Sequence, residues 1–253
     1  MKNKLDIKTG DIFQLGNHRI ACGNSSDKDL VAKLLKDEKI ASINSDIPYG
    51  ISVTESKRGF KQKLSCDKII VNDQLQSDEE YKKFNLGWLE AIKPHLAKKN
   101  SYYIFNSDKM VWPLREALIE SGFKFSQMII WVKNHAVMGR LNYLPMHELI
   151  LYGWLGTHEF KKSQDKSVLF YPKPNKSKLH PTMKPVGLIR NLILNSTNIG
   201  DIVWDGFLGS GTTLIAAEQT RRKCYGIEID PGYCQTIIER YEKLSGLKAK
   251  KLN

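Results

Sequence analysis

Apolar and polar positions along the chain follow two alternating rhythms. Short apolar, β-branched runs predict strands at Ile20–Gly23, Ile40–Asn44, Tyr102–Phe105, Gln127–Val132, Glu148–Tyr152, Asp201–Trp204 and Lys223–Ile229. Between them, helical spacing predicts Asp29–Lys36, with Leu30, Leu34 and Leu35 on one face, and Trp112–Ser121. Ser77 ahead of Asp78, Glu79 and Glu80 reads as a hydroxyl N-cap with acids in the first turn, of a helix running to about Ala97. Pro185 suits the first turn of a helix carrying Leu188, Ile189, Leu192 and Ile193 on its apolar side. Thr212–Gln219 and Gly232–Leu244 complete the helices. Strand–helix alternation of this kind predicts an α/β fold with a mostly parallel sheet. Polar stretches from about Ser52 to Gln76 and from Leu155 to Leu179 predict long loops, and Lys248–Asn253 a frayed end.

The composition narrows this only modestly. No apolar run reaches 18 residues, and the charged start, Met1 to Asp11, has no secretory h-region, so a cytoplasmic protein is expected. Four cysteines with no CxxC pair, and six dispersed histidines, predict reduced buried thiols and no metal site. A net charge of +12 favours a polyanionic partner, although a solvated lysine surface would look the same.

Three constellations could carry chemistry. In Asp205-Gly206-Phe207-Leu208-Gly209-Ser210-Gly211-Thr212 a strand ends in an acid, turns through glycines and opens a helix. Glycine allows close backbone approach to a ligand, and a helix N-terminus offers free N–H groups. The spacing fits neither a P-loop nor GxGxxG. Glu228, at the next strand end, could accept both hydroxyls of a ribose, or be an ordinary exposed strand-end acid. Asp46-Ile47-Pro48-Tyr49-Gly50, also at a strand end, combines a carboxylate, a rigid turn and an aromatic face, which suits an exocyclic amine on a planar ring. Taken alone, it is equally a β-turn.

Together, in this order, the motifs resemble the β-class amino-methyltransferases of DNA, which act on adenine N6 or cytosine N4. That family's catalytic motif is (D/N/S)PP(Y/F/W), upstream of a cofactor loop close to DPFxGSGT. Further matching segments are Cys22-Gly23-Asn24-Ser25, Ile130-Trp131-Val132-Lys133, Met146-His147-Glu148 and His180-Pro181-Thr182-Met183-Lys184-Pro185. The resemblance spans about Gly10 to Leu244 and is nearest in look to compact phage and prophage members.

It implies a Rossmann-like, seven-stranded methyltransferase fold in one catalytic domain, with DNA-facing insertions at about 51–76 and 134–179. It implies S-adenosylmethionine as cofactor and no metal. Asp205, Phe207, Gly209 and Gly211, with Gly206, Ser210 and Thr212 of the same loop, would shape the methionine side of its pocket, together with Asp46. Glu228 would hold the ribose, Asn24 and Ser25 would lie near the adenine, and Thr182 and Lys184 would face the methionine carboxylate. Asp46, the Ile47 carbonyl, Pro48 and Tyr49 would hold a flipped target base. Aspartate in the first position favours adenine N6, with cytosine N4 as the alternative. A homodimer and a cognate restriction enzyme are further implications.

The chain departs from the family at Asn24, at Gly206 and Leu208, and above all at Ile47, where the first proline of PP is expected. That last change leaves a weakly active or inactive DNA-binding relative as an alternative. For DNA contact the candidates are Lys57, Arg58, Lys61, Lys63, Lys161 and Lys162 on phosphates, and Arg140 and Asn142 on base edges.

Overall fold

The computed structural model describes residues 5–50, 74–136, 142–162, 164–173 and 183–253. Its strands are β1 (Ile12–Leu15), β2 (His18–Cys22), β3 (Ile40–Asp46), β4 (Leu96–Asn106), β5 (Lys124–Val132), β6 (His147–Trp154), β7 (Val168–Phe170), β8 (Ile202–Asp205), β9 (Lys223–Glu228) and β10 (Lys250–Lys251). Its α-helices are α1 (Lys28–Leu35), α2 (Asp78–Ile92), α3 (Val111–Glu120), α4 (Val186–Ser196), α5 (Thr212–Gln219) and α6 (Pro231–Ser245).

All ten strands join one sheet in the order β10-β1-β2-β9-β8-β3-β4-β6-β5-β7. The expected seven-stranded sheet is its centre, from β2 to β5; β1, β7 and β10 are short additions outside it. From β2 through β9, β8 and β3 to β4 every pairing is parallel, whereas β6 runs antiparallel to both β4 and β5.

Side chains alternate across the sheet and so divide the core in two. Tyr103, Phe105 and Val203 face α4, α5 and α6, where Leu188, Leu192, Leu214 and Ile237 are buried. Tyr102, Ile104, Ile202 and Trp204 face α1, α2 and α3, where Leu34, Trp88 and Leu114 are buried. β8 is buried at every position, as a central parallel strand covered on both faces must be.

Three expectations are corrected. The helix from Ser77 ends at Ile92, not Ala97: Pro94 falls in a 3-10 turn, Lys93–His95, and β4 begins at Leu96. Proline carries no N–H to continue an α-helical ladder. Within the 155–179 loop, Val168–Phe170 forms β7 by pairing in parallel with β5, a strand too short to show a period. The C-terminus is tethered rather than frayed, because Lys250 and Lys251 pair with β1 and the Asn253 side chain accepts from the Ile12 N–H at 2.8 Å.

The parallel strands deliver Cys22, Glu228, Asp205, Asp46 and Asn106 to one edge. Beyond β3 the chain goes on to α2 on one face; beyond β8 it enters α5 on the other. A crevice therefore opens between Asp46 and Asp205, the position where open α/β sheets bind ligands.

Candidate active site

One cavity lies in this crevice. Gly23, Asn24, Ser25, Glu228 and Asp230 line one end, Asp205 to Ser210 and Thr212 form one side, and Asp46 to Tyr49, Glu148 and Lys184 line the other end. The two motifs predicted separately thus share a single space. Of the glycine loop, only Gly211 stands outside the lining. It is the N-cap of α5 at φ +80°, and a Cβ there would lie 3.0 Å from Ile237. Its glycine serves the turn and the packing of α6.

At the Glu228 end, backbone groups hold the acids. The Glu228 carboxylate accepts the Gly209 N–H at 2.7 Å and the Asp230 N–H at 2.9 Å. Asp205 accepts the Phe207 N–H at 3.0 Å and the Thr213 hydroxyl at 2.6 Å. No side chain caps α5, so its first N–H groups stay open beside the cavity. Burial pushes Glu228 up to about 7 and Asp205 up to about 6, because no ammonium stands against either. The Gly23 N–H donates to the Glu228 carbonyl at 2.9 Å, which brings Asn24 and Ser25 to the same wall. Phe207 packs against Phe84 and Trp88 of α2, with each ring pair at 5.8 Å.

At the Asp46 end, charges pair with charges. The Lys184 ammonium lies 2.5 Å from Asp46 Oδ2 and 3.1 Å from Glu148 Oε2. Lys133 holds the other Glu148 oxygen at 2.7 Å. The Tyr49 hydroxyl sits 2.9 Å from Asp46 Oδ1 and 3.1 Å from Glu148 Oε2, and donates its one proton to either. Burial works to raise Glu148, but Lys184 and Lys133 more than offset it and hold the acid down at about 2. Asp46 is raised, chiefly by burial, against the pull of Lys184. Two acids on β3 and β6 thus draw the Lys184 ammonium to the Asp46 motif.

The turn after β3 is fixed from outside. The Tyr81 hydroxyl on α2 donates to the Pro48 carbonyl at 2.9 Å and accepts from the Asn106 side chain at 2.9 Å. The Ile47 side chain, 2% exposed, joins the apolar cluster under α2. The branched side chain is thus absorbed by the core, and Tyr81 supplies a restraint on the turn that the missing proline would have supplied through its ring.

The remaining candidates fare differently. Lys161 pairs with Glu159 and its N–H donates to the Asn195 carbonyl, while Lys162 pairs with Asp165 at 3.2 Å. Both stand beside α4, against Asn195 and Asn191, whereas Lys184 and Ile189 of the same region line the cavity. Asn142 is exposed. Lys57, Arg58, Lys61, Lys63, Arg140, Thr182 and Cys66 lie outside the described residues. Cys22, Cys224 and Cys234 are buried free thiols. Among the described residues no cluster of His, Cys, Asp and Glu is placed to hold a metal, and no helix is long and apolar enough to cross a membrane.

Sequence reasoning missed Glu148, Lys133 and Tyr81 as site residues. The first two sit inside segments singled out for their resemblance, Lys133 just after β5 and Glu148 at the start of β6, where nothing in the local pattern pairs them. Tyr81 gives no signal at all, since its partners are distant in sequence.

A profile of the N6/N4 DNA methylase family matches residues 40–239, from β3 through most of α6. The chain belongs to this DNA methylase family. Among its relatives are the type II methyltransferase M2.DpnII of Streptococcus pneumoniae, 27% identical over 227 residues, 82% of this chain and 84% of the relative. The type II methyltransferase M.HpaI of Haemophilus parainfluenzae is 27% identical over 256 aligned positions, 89% of this chain and 74% of the relative. The structure of an M1.HpyAVI–SAM complex superposes with a TM-score of 0.64 at 25% identity, covering 87% of this chain and 98% of that one. The cytosine-N4-specific PvuII DNA methyltransferase shares the fold at a TM-score of 0.69 and 16% identity, covering 92% of each chain. The methylase fold is thus present over nearly the whole chain.

Proposed function

We propose that this methylase transfers a methyl group from S-adenosylmethionine to the exocyclic N6 of adenine in double-stranded DNA. The observation that carries the reading is the single cavity in which Asp46, Pro48 and Tyr49 face the glycine loop and Glu228. The Glu228 end suits a nucleoside: a buried carboxylate for vicinal hydroxyls, Asn24 and Ser25 for a base edge, and open helix N–H groups. S-adenosylmethionine, when bound, supplies an activated methyl on a positively charged sulfur.

The chain's own residues then position the acceptor. Asp46 takes one N–H of the amine and the Ile47 carbonyl takes the other, which turns the nitrogen lone pair toward the methyl. Tyr49 offers a ring face to the base, flipped out of the helix. The Asp46 carboxylate would face the positive charge that develops on the amine as it is methylated, and would take the proton that the amine releases. Rate comes from positioning and from the fixed negative charge at that nitrogen.

Aspartate in the first motif position favours adenine. The cytosine-N4 reading keeps one support, the fold shared with a cytosine-N4-specific enzyme. The burial of Ile47 supports an active enzyme, since its side chain packs in the apolar cluster under α2. In this reading the whole chain is one catalytic domain working in the cytoplasm, with the 51–76 and 134–179 segments toward DNA. Type II relatives extend the reading to a cognate restriction enzyme, and a homodimer is its assembly. Modified-base sequencing of DNA from a host expressing the protein is the test. N6-methyladenine in one sequence context supports the reading, N4-methylcytosine replaces it with the second, and unmodified DNA overturns both.

A further inference from the structure

The charged network behind Asp46 is larger than the amine needs. Two ammoniums and two carboxylates alternate along it in the order Lys133, Glu148, Lys184, Asp46. Each comes from a different part of the chain: the end of β5, the start of β6, the approach to α4 and the end of β3. Only 3% of the Lys133 and 6% of the Lys184 side chain is exposed. The surroundings are aromatic, with Lys184 5.3 Å from the Phe105 ring centre and 5.6 Å from that of Tyr49. Lys133 lies 5.3 Å from the Trp131 ring centre. Buried charges that are merely structural are costly, and apolar residues can often replace them.

Glu148 is fixed more firmly than a surface pair. It lies opposite Trp131 in the β5–β6 register, so Lys133 is its diagonal neighbour. The Lys133 N–H also donates to the Met146 carbonyl at 2.7 Å, which locks the two segments together. With Glu148 present, the cluster's two positive and two negative charges cancel. Without it, the amine would become positive beside a net cation, and Lys184 would draw the Asp46 carboxylate to itself.

We propose that Glu148 is a positioning residue for methyl transfer: anchored by Lys133, it holds Lys184 beside Asp46 and cancels its charge, leaving the Asp46 charge to the amine. This rests on the methyltransferase reading above, whichever base is methylated. It makes Lys184 a part of the catalytic half of the cavity rather than a cofactor ligand.

The experiment compares Glu148→Gln with Lys184→Gln in the full chain. Glutamine keeps the shape of Glu148 and one acceptor for an ammonium, but removes the charge. The expected result for Glu148→Gln is a kcat about 10- to 100-fold lower, with the dissociation constant for S-adenosylmethionine changed less than about threefold, the loss being that of an electrostatic support. The pH profile of kcat separates this from a structural role. The groups facing Asp46 are Lys184, Glu148, Tyr49 and Asp205, with Lys133 acting through Glu148. Glu148 raises the proton affinity of Asp46 and Lys184 lowers it. The acid limb therefore moves to lower pH in Glu148→Gln and to higher pH in Lys184→Gln. Wild-type kcat in Glu148→Gln, or limbs that do not move apart, overturns the proposal. If Glu148→Gln folds poorly, Lys133→Gln reads the same link: a severalfold fall in kcat at unchanged cofactor binding supports it, and wild-type kcat overturns it. An inactive wild type would instead count against the methyltransferase reading itself.

Discussion

The two ends of the cavity hold carboxylates by opposite means. At the Glu228 end the partners are backbone N–H groups and a threonine hydroxyl; at the Asp46 end they are ammoniums and a phenol. The first arrangement leaves acids whose protons bind unusually well, near pH 6 and 7. The second holds Glu148 at about 2. A group that meets neutral hydroxyls needs lone pairs and close backbone. A group that meets a nitrogen acquiring positive charge needs a fixed negative charge, and cations must hold that charge in place without consuming it. One crevice supports both because it is walled by different strands, β8 and β9 on one side and β3 and β6 on the other.

The sharpest way to break this contrast is Asp46→Ala. Transfer should fall by at least roughly 10²- to 10³-fold, the scale of losing one preorganised electrostatic group. Cofactor affinity, measured by calorimetry, should stay within a few fold. A variant with substantial turnover, or one that loses both properties together, would erase the division between the ends.

The second effect belongs to the other end. If the Glu228 carboxylate meets ribose hydroxyls in its ionised form, its proton must leave for binding. Affinity should therefore fall as pH drops below about 7, by up to about tenfold per unit. Proton release on binding, read by calorimetry in buffers of different ionisation enthalpy, checks the sign. Stability of the unliganded protein should run the other way. A raised acid favours the folded state at low pH, and that contribution is lost as pH rises through about 7. Cofactor affinity that is flat from pH 5 to 8 would refute the assignment.

Two smaller effects test how each end is braced. Gly211→Ala places a Cβ 3.0 Å from Ile237 at φ +80°, so thermal unfolding should report a loss of about 1–3 kcal/mol. Tyr81→Phe removes the hydroxyl that donates to the Pro48 carbonyl and accepts from the Asn106 Nδ2 group, and should cost about 0.5–2 kcal/mol. It should also lower kcat several-fold, since the catalytic turn loses its brace. A Tyr81→Phe variant with the wild-type rate would show that Ile47 packing alone holds the turn.

Much of this was legible in the chain. β3, β8, β9 and the helices after them followed from apolar period, and the motifs lay at the predicted strand ends. Local signals suffice where an element's own side chains are its core contacts, as in α4 with Leu188, Ile189, Leu192 and Ile193. They failed where pairing alone made the element. β7 and β10 are three and two residues long, and each exists through its register with β5 or β1. The ion pairs of Lys161 with Glu159 and of Lys162 with Asp165 were not legible either, because charge in a loop does not say which partner it meets.

By itself, then, the sequence determined the α/β alternation, the order of the motifs and the residue types at the strand ends. These depend on neighbours in the chain. The tertiary structure decided what those residues face. It set the Lys184 ammonium beside Asp46, brought in Glu148 and Lys133, and packed the Ile47 side chain into the apolar cluster under α2. Those outcomes depend on β3, β6 and α4 meeting at one edge. Charge pairing and burial are properties of that meeting, and no spacing along the chain encodes them.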